Sequence, residues 1–345
     1  MKSGNDRKYD VAVVGATGAV GEAILEILAS RKFPAGRVHA LASEASVGRS
    51  VTFGHRSLPV DDLATFDFEG CDFALFSAGS RVSEEAVPRA AGAGCVVIDN
   101  TSRFRMDPDV ALVIPEINSA VLDGCKGGDI IANPNCSTIQ MLMALWPLHA
   151  EVGIERVDVA TYQSVSGAGR PALEELARQS ADRFNFRDPQ AKALSAPIAF
   201  NVIPQIDEIG ENGYSGEEMK MHNETRKILD DDRVVVSATA VRVPVFYGHG
   251  EAIHVRLRQA LELSRAAELI GEAAGVRLVE RGSEGPVTPL THAAGRDEVV
   301  VSRLRRDLGD ERVLCMWVVA DNVRKGAALN AVQIAERLVE GRAGK

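Results

Sequence analysis

YDVAVVGATGAVGEAILEILAS, residues 9–30, is the stretch whose reading decides the fold. A strand-like run, YDVAVV, meets three glycines (Gly15, Gly18 and Gly21) and passes directly into a helical stretch over 18–30. Glycines at that turn permit a tight reversal and let backbone N–H groups approach a ligand closely. A pyrophosphate can then sit on the helix amino terminus. A glycine-rich strand–helix turn that binds nothing is the alternative. The position near the chain start, after a strand and before a helix, favours dinucleotide binding, with Gly15, Thr17, Gly18, Ala19 and Val20 as the contacts.

Outward from this turn, strand-like runs recur at RVHALAS, DFALFS, CVVID, ALVIP and DIIAN, with helical stretches between several of them, notably at 81–92. Such alternation predicts a parallel, doubly wound sheet with helices on both faces. From about residue 155 the pattern changes to longer β-branched runs, RVDVATYQS, RVVVSATAVRVPV, EAIHVRLRQ and RVLCMWVVA, with helical or irregular segments between them. These predict a second, α+β domain on a mixed or antiparallel sheet. Residues 181–200 are polar and read as a surface loop. Near the carboxyl terminus Leu329, Val332, Ile334, Ala335 and Leu338 form one apolar helical face.

The 345 residues suit two domains, and 46% apolar with 25% charged residues reads as a soluble globular protein. A net charge of −9, without a block of Lys or Arg, argues against nucleic-acid binding. The amino terminus MKSGNDRKYD is polar, and the glycine-broken run after it is neither a signal peptide nor a membrane span. Cysteines 71, 95, 125, 136 and 315 lie far apart without a CxxC pair, so neither a disulfide framework nor a metal site is expected. A cytoplasmic protein is the expectation.

Among these cysteines Cys136 stands apart. In ANPNCSTIQMLMAL, residues 132–145, it opens an apolar helical run after a proline turn. Backbone N–H groups and the positive end of the helix dipole there stabilise thiolate relative to a free thiol of pKa about 8.5. A buried structural role is the alternative, and it is the reading for Cys71, Cys95 and Cys315. A nucleophilic thiol beside a nicotinamide suggests one chemistry: addition to an aldehyde, hydride transfer, and a thioester passed to an acceptor.

PNCSTIQM, with GATGAVG, DNTSRFR, TYQSVSGAG, PQID, EEMKM, VRVPV followed by a histidine, and WVVADN before KGAA, resembles the bacterial aspartate-β-semialdehyde dehydrogenase family. The blocks stand in the family's order and cover nearly the whole chain. The resemblance implies a Rossmann-type domain (1–133 plus 326–345) and a catalytic and dimerisation domain like that of glyceraldehyde-3-phosphate dehydrogenase (134–325). It implies reversible NADPH-dependent reduction of L-β-aspartyl phosphate to L-aspartate β-semialdehyde plus phosphate, in lysine, threonine, methionine and isoleucine biosynthesis. It implies Cys136 as nucleophile and His249 as general acid/base, titrating near neutrality and able to take the thiol proton. Arg242 would hold the substrate α-carboxylate through its planar fork, and Gln163 would bind substrate as an amide. Asn135 would orient the thiol or donate to a developing oxyanion. Glu217 would meet the substrate ammonium, although an i,i+3 pair with Lys220 is an equally ordinary reading. Arg105 and Lys220 would bind phosphate. Ser166, Gly167 and Asn322 would contact the cofactor near its nicotinamide, with Lys325 and Gly326 weaker candidates. A homodimer or homotetramer through the second domain's sheet is implied, while His254 reads as structural or surface.

One position departs from the pattern. After the second strand many NADP-preferring members read ASARS, and here Ala45 occupies the arginine position. Ser43, Ser46 and Arg49 still suit a ribose 2′-phosphate and Glu44 opposes it, so NADP is expected with NAD possible. Two rivals are a related reductase acting on N-acetyl-γ-glutamyl phosphate and a non-catalytic paralogue. The first fits the surroundings of Cys136 and the EEMKM block less well. The second would not be expected to keep Cys136, His249, Arg242 and Lys220 together.

Overall fold

The computed structural model describes residues 7–343. The outer limits of the expected first domain, residues 1 and 345, and the amino-terminal stretch up to Asp6 lie outside them. The chain divides into two compact units, residues 1–134 with 327–345, and residues 135–326.

The first unit holds strands β1 (Tyr9–Val14), β2 (Ala35–Ala42), β3 (Ser50–Phe53), β4 (Arg56–Asp62), β5 (Phe73–Phe76), β6 (Val96–Asp99), β7 (Ala111–Leu112) and β8 (Ile130–Ala132). They form one sheet in the order β3-β4-β2-β1-β5-β6-β8-β7, parallel except for the β3–β4 pair. The expected parallel, doubly wound sheet is present, with one antiparallel strand added at its edge. A turn at Gly54–His55 folds β3 back on β4 without a crossover. Helix α1 (Ala19–Ser30) and the carboxyl-terminal helix, Leu329–Ala343, bury Ile24, Leu25, Leu28, Val332, Ala335 and Leu338 against one face. Helix α2 (Ser80–Gly92) buries Ala86, Val87 and Ala90 on the other. This is a doubly wound unit, and its strand order reverses at β1 and β5, where such sheets open a crevice beyond their carboxyl ends.

The second unit carries a six-stranded mixed sheet, ordered β10-β9-β11-β14-β13-β12. Its strands are β9 (Ile154–Gln163), β10 (Val235–Arg242), β11 (His249–Leu257), β12 (Val276–Leu278), β13 (Val299–Arg306) and β14 (Val313–Ala320). Its helices include α3 (Cys136–Val152), α4 (Arg170–Phe184), α5 (Gly216–Leu229) and α6 (Leu263–Gly271). Alternate residues of β9 and β10 are buried, so one sheet face packs inward while Tyr162, Asp158 and His254 face out. The expected loop at 181–200 is corrected, because α4 continues to Phe184. Its polar residues hold the segment that follows. Gln179 Oε1 accepts from the N–H groups of Ile198 and Ala199, and Glu175 Oε2 from those of Lys192 and Ala193.

Candidate active site

Helix α3 opens at Cys136 because Asn135 caps it. The Asn135 Oδ1 accepts from the N–H groups of Ser137 (3.0 Å) and Thr138 (3.3 Å), satisfying donors that a helix start otherwise leaves open. Its Nδ2 donates to Glu217 Oε1 at 2.9 Å, and its backbone N–H to Glu224 Oε2 at 2.6 Å. Asn135 is therefore a buried cap that aims the first turn. Of the two roles expected of Asn135, orienting the thiol is the one these bonds serve.

Three strand ends converge on the thiol. Gln163 ends β9, its register partner Arg242 ends β10, and His249 begins the antiparallel β11. Each falls on the inward phase of its strand, so each is buried despite its polarity. Cys136 Sγ lies 3.4 Å from His249 Nε2. Arg242 Nη1 donates to Ser164 O at 2.8 Å, its one side-chain hydrogen bond among the described residues. The rest of its fork is thereby left for a ligand. Gly167 borders the same space: a Cβ there would stand 3.0 Å from Arg242 Nη1 and 3.5 Å from His249 Nε2.

Helix α5 supplies the carboxylates. Ser215 and Glu218 form a reciprocal capping box, an N-cap worth about 1 kcal/mol, and Glu218 Oε1 also accepts from Ala240 N–H on β10. That tether sets Glu217 beside the ends of β9 and β10, where Gln163 Nε2 (3.0 Å) and Asn135 share its Oε1 and Lys220 Nζ (3.0 Å) takes its Oε2. Burial alone would raise the Glu217 pKa, but Lys220 and the two amides outweigh it and hold the carboxyl at about 2. Lys220 also donates to Asp207 Oδ2 at 2.6 Å. Against the pull of burial, its two carboxylate neighbours raise its pKa. The i,i+3 pair is present, as one contact of a larger cluster.

His249 is fully buried, and burial together with the Arg242 guanidinium lowers its pKa to about 3. The expectation of titration near neutrality is corrected accordingly. Its hydrogen bonds also choose a tautomer. Ser164 N–H donates to Nδ1 at 3.0 Å, and a backbone N–H can only donate. In the neutral ring the proton therefore sits on Nε2, facing sulfur. As an uncharged donor the ring cannot also take the thiol proton at Nε2. Beneath it Asn322 Oδ1 accepts from Ser164 Oγ, Ser166 Oγ and Gly248 N–H, so Ser166 and Asn322 support the imidazole from behind. Ser164, Glu224 and Asp207 escaped the sequence reading. Glu224 lies seven residues after Glu217 on one helix face, a spacing that could have revealed it.

Lys325 is buried, and Gly326 abuts Cys136. Arg105 belongs to the first unit, where its Nε donates to Asn133 O and its Nη2 to Asn100 O. Gly15 has φ +83°, and a Cβ there would stand 2.9 Å from the Ser77 carbonyl group at the end of β5. Only glycine permits that conformation and that approach together. Thr17, Gly18, Ala19 and Val20 continue the turn into α1, whose N-cap Gly18 carries no side-chain cap. A glycine-rich turn at the switch point of the sheet fits a dinucleotide pyrophosphate. Ser43 is exposed just past β2, Ser46 is half-buried in the helical turn that follows, and Ala45 and Arg49 are exposed.

Fold and site together define a class: a nucleotide-binding dehydrogenase of two units, with a thiol and an imidazole paired in the second. Residues 10–125 match the semialdehyde dehydrogenase NAD binding domain, and residues 145–325 the semialdehyde dehydrogenase dimerisation domain. An aspartate-semialdehyde dehydrogenase of Legionella pneumophila is 52% identical over 96% of each chain, and one of Aquifex aeolicus 48% over 96% of this chain and 98% of its own. Among solved structures, aspartate-semialdehyde dehydrogenase II of Vibrio cholerae, complexed with ASA, is 49% identical, with a TM-score of 0.93 over 97% of this chain and 99% of its own. The chain belongs to the aspartate-semialdehyde dehydrogenase family and is an NAD(P)-binding oxidoreductase of amino-acid biosynthesis. Among the described residues no helix is long and apolar enough to cross a membrane.

Proposed function

We propose that the chain reversibly converts L-β-aspartyl phosphate to L-aspartate β-semialdehyde and phosphate through a thioester on Cys136, with NADP as the preferred cofactor. The observation that carries this reading is the 3.4 Å approach of Cys136 Sγ to His249 Nε2 at a capped helix start. Arg242 and Glu217 act electrostatically on the same imidazole. The Vibrio cholerae relative complexed with ASA supports the choice of substrate.

The residues divide the work by charge. The Arg242 fork takes the α-carboxylate bidentately, and Glu217, with three donors already on it, offers its remaining acceptor capacity to the ammonium. Lys220 and Arg105 bind the phosphoryl group. Cys136 sulfur attacks the acyl carbon and phosphate leaves, forming the thioester. The nicotinamide, when bound, supplies the hydride that reduces it. His249 Nε2–H donates first to sulfur and then to the acyl oxygen, stabilising charge there without itself changing protonation, a use of neutral histidine for which precedent exists. Collapse of the hemithioacetal frees the aldehyde and returns sulfur.

Residues 1–133 with 326–345 bind the dinucleotide in this reading, and 134–325 carry catalysis and dimerisation. Ser43, Ser46 and Arg49 favour a 2′-phosphate, and Ala45 leaves room for NAD. We infer a cytoplasmic homodimer or homotetramer assembled through the second unit's sheet, supported by the match to a dimerisation domain.

The test is reduction of NADP and of NAD with L-aspartate β-semialdehyde, with and without phosphate. Phosphate-dependent reduction, faster with NADP, is expected. No reduction by folded protein that still binds dinucleotide would overturn the reading.

A further inference from the structure

We propose, on the reading that Lys220 binds phosphate, that Asp207 is a positioning residue for Lys220, a displaceable counter-ion that phosphate must push aside. Lys220 Nζ donates to Glu217 Oε2 at 3.0 Å and to Asp207 Oδ2 at 2.6 Å. Two carboxylates around one ammonium leave one negative charge in excess, and that charge repels an incoming dianion. One carboxylate has to give way, and their surroundings decide which.

Glu217 is fixed. It is buried, and Gln163 and Asn135 hold its other oxygen. The Asp207 side chain is 46% exposed, and its carboxylate makes one hydrogen bond among the described residues, the one to Lys220. A half-exposed pair of this kind is weak, so Asp207 can turn to water when a stronger anion arrives.

The backbone holds Asp207 at this place. Its φ of +68° is a left-handed conformation that aspartate and asparagine tolerate better than most side chains. Gln205 Nε2 donates to the Asp207 carbonyl at 3.1 Å, and Gly216 N–H donates to Glu208 O at 2.9 Å, tying the loop to the start of α5. Gly216 also leaves room, since a Cβ there would stand 3.1 Å from Asp207 Cβ and 3.3 Å from its Oδ2. Phosphate exchanges for the Asp207 carboxylate on one of the three ammonium hydrogens. In the biosynthetic direction the returning carboxylate competes with product phosphate and speeds its release.

The experiment measures the apparent KM for phosphate during NADP reduction by L-aspartate β-semialdehyde, using the full-length enzyme. Asp207→Asn removes the charge and still tolerates the left-handed backbone. It should lower the phosphate KM roughly two- to fivefold, the range that loss of one exposed ion pair allows, and change kcat less. A merely structural residue would raise that KM or lower kcat. In a Lys220→Ala background the same substitution should have much less effect, because no ammonium is left to share. If Lys220→Ala leaves the phosphate KM unchanged, phosphate binds elsewhere, and the reading of Lys220 and the proposal fall together. If Lys220→Ala raises it, the proposal alone is overturned when Asp207→Asn leaves the KM unchanged, raises it, or lowers it equally with and without Lys220.

Discussion

A Cβ on Gly326 would stand 2.8 Å from the Cβ of Cys136 and 3.3 Å from its Cα. The segment after β14 therefore runs directly against the start of α3, anchored there by Gly326 N–H to Asp321 O at 3.1 Å. Gly326→Ala must move the nucleophile or the segment facing it. Displacements approaching 1 Å at a reacting atom cost up to about a hundredfold in rate. We expect kcat to fall at least tenfold with the melting temperature little changed. Wild-type kcat in this variant would show that the contact yields without disturbing sulfur.

The tautomer of His249 makes a prediction that separates donor from shuttle. Glutamine retains an N–H donor on a side chain of similar reach and cannot titrate. His249→Gln should therefore keep turnover at least about tenfold above His249→Ala, in keeping with what one charge-stabilising donor contributes. The wild-type pH–rate profile should show no inflection near an imidazole's ordinary 6.5. Such an inflection, lost in the glutamine variant, would restore the acid/base role.

Arg242→Lys keeps the charge and loses the planar fork. We expect the apparent KM for the semialdehyde to rise roughly tenfold or more, equivalent to about 1.4 kcal/mol of binding, with a smaller change in kcat. A steady-state comparison at saturating cofactor decides it, and an unchanged KM would place the carboxylate elsewhere.

Glu251 is wholly buried between Thr161 and Val318, and neither of its carboxyl oxygens has a partner among the described residues. Burial raises its pKa well above the ordinary carboxylate value. In the folded state it therefore keeps its proton where the unfolded chain has lost it. Its contribution is fully present below the unfolded pKa, about 4.3, and is lost as pH rises toward the folded value. Glu251→Gln removes that loss, so its stability relative to the wild type should increase between pH 5 and pH 8 or so. Urea unfolding across that range measures it, and a constant difference would mean the carboxyl is already satisfied.

Much of the fold was legible because periodicity is a local property. The strand–glycine–helix turn at 9–30 and the apolar face of the carboxyl-terminal helix each state their burial within twenty or so residues. The end of the helix Arg170–Phe184 was not legible, because Asp182 and Arg183 are as polar as the loop after them; Glu175 and Gln179 stand further back on the same helix. Their function is to bond the backbone of the segment after it, over 11 to 20 residues. Cys136, Arg242 and Lys220 could be singled out by their motifs and Glu224 by its spacing from Glu217, whereas Ser164 and Glu224 bond partners that could not be read locally. They act on His249 and Asn135 across 85 and 89 residues.

By itself, then, the sequence determined the two-unit architecture, the nucleotide-binding turn, the thiol at a helix mouth and the family, because each depends on residue types at short, regular spacing. Tertiary structure alone decided the ionisation and tautomer of His249, the cap that occupies Asn135 and the space that excludes a side chain at Gly326. Burial, donor geometry and close approach arise between strands distant in the chain, and no local pattern encodes them.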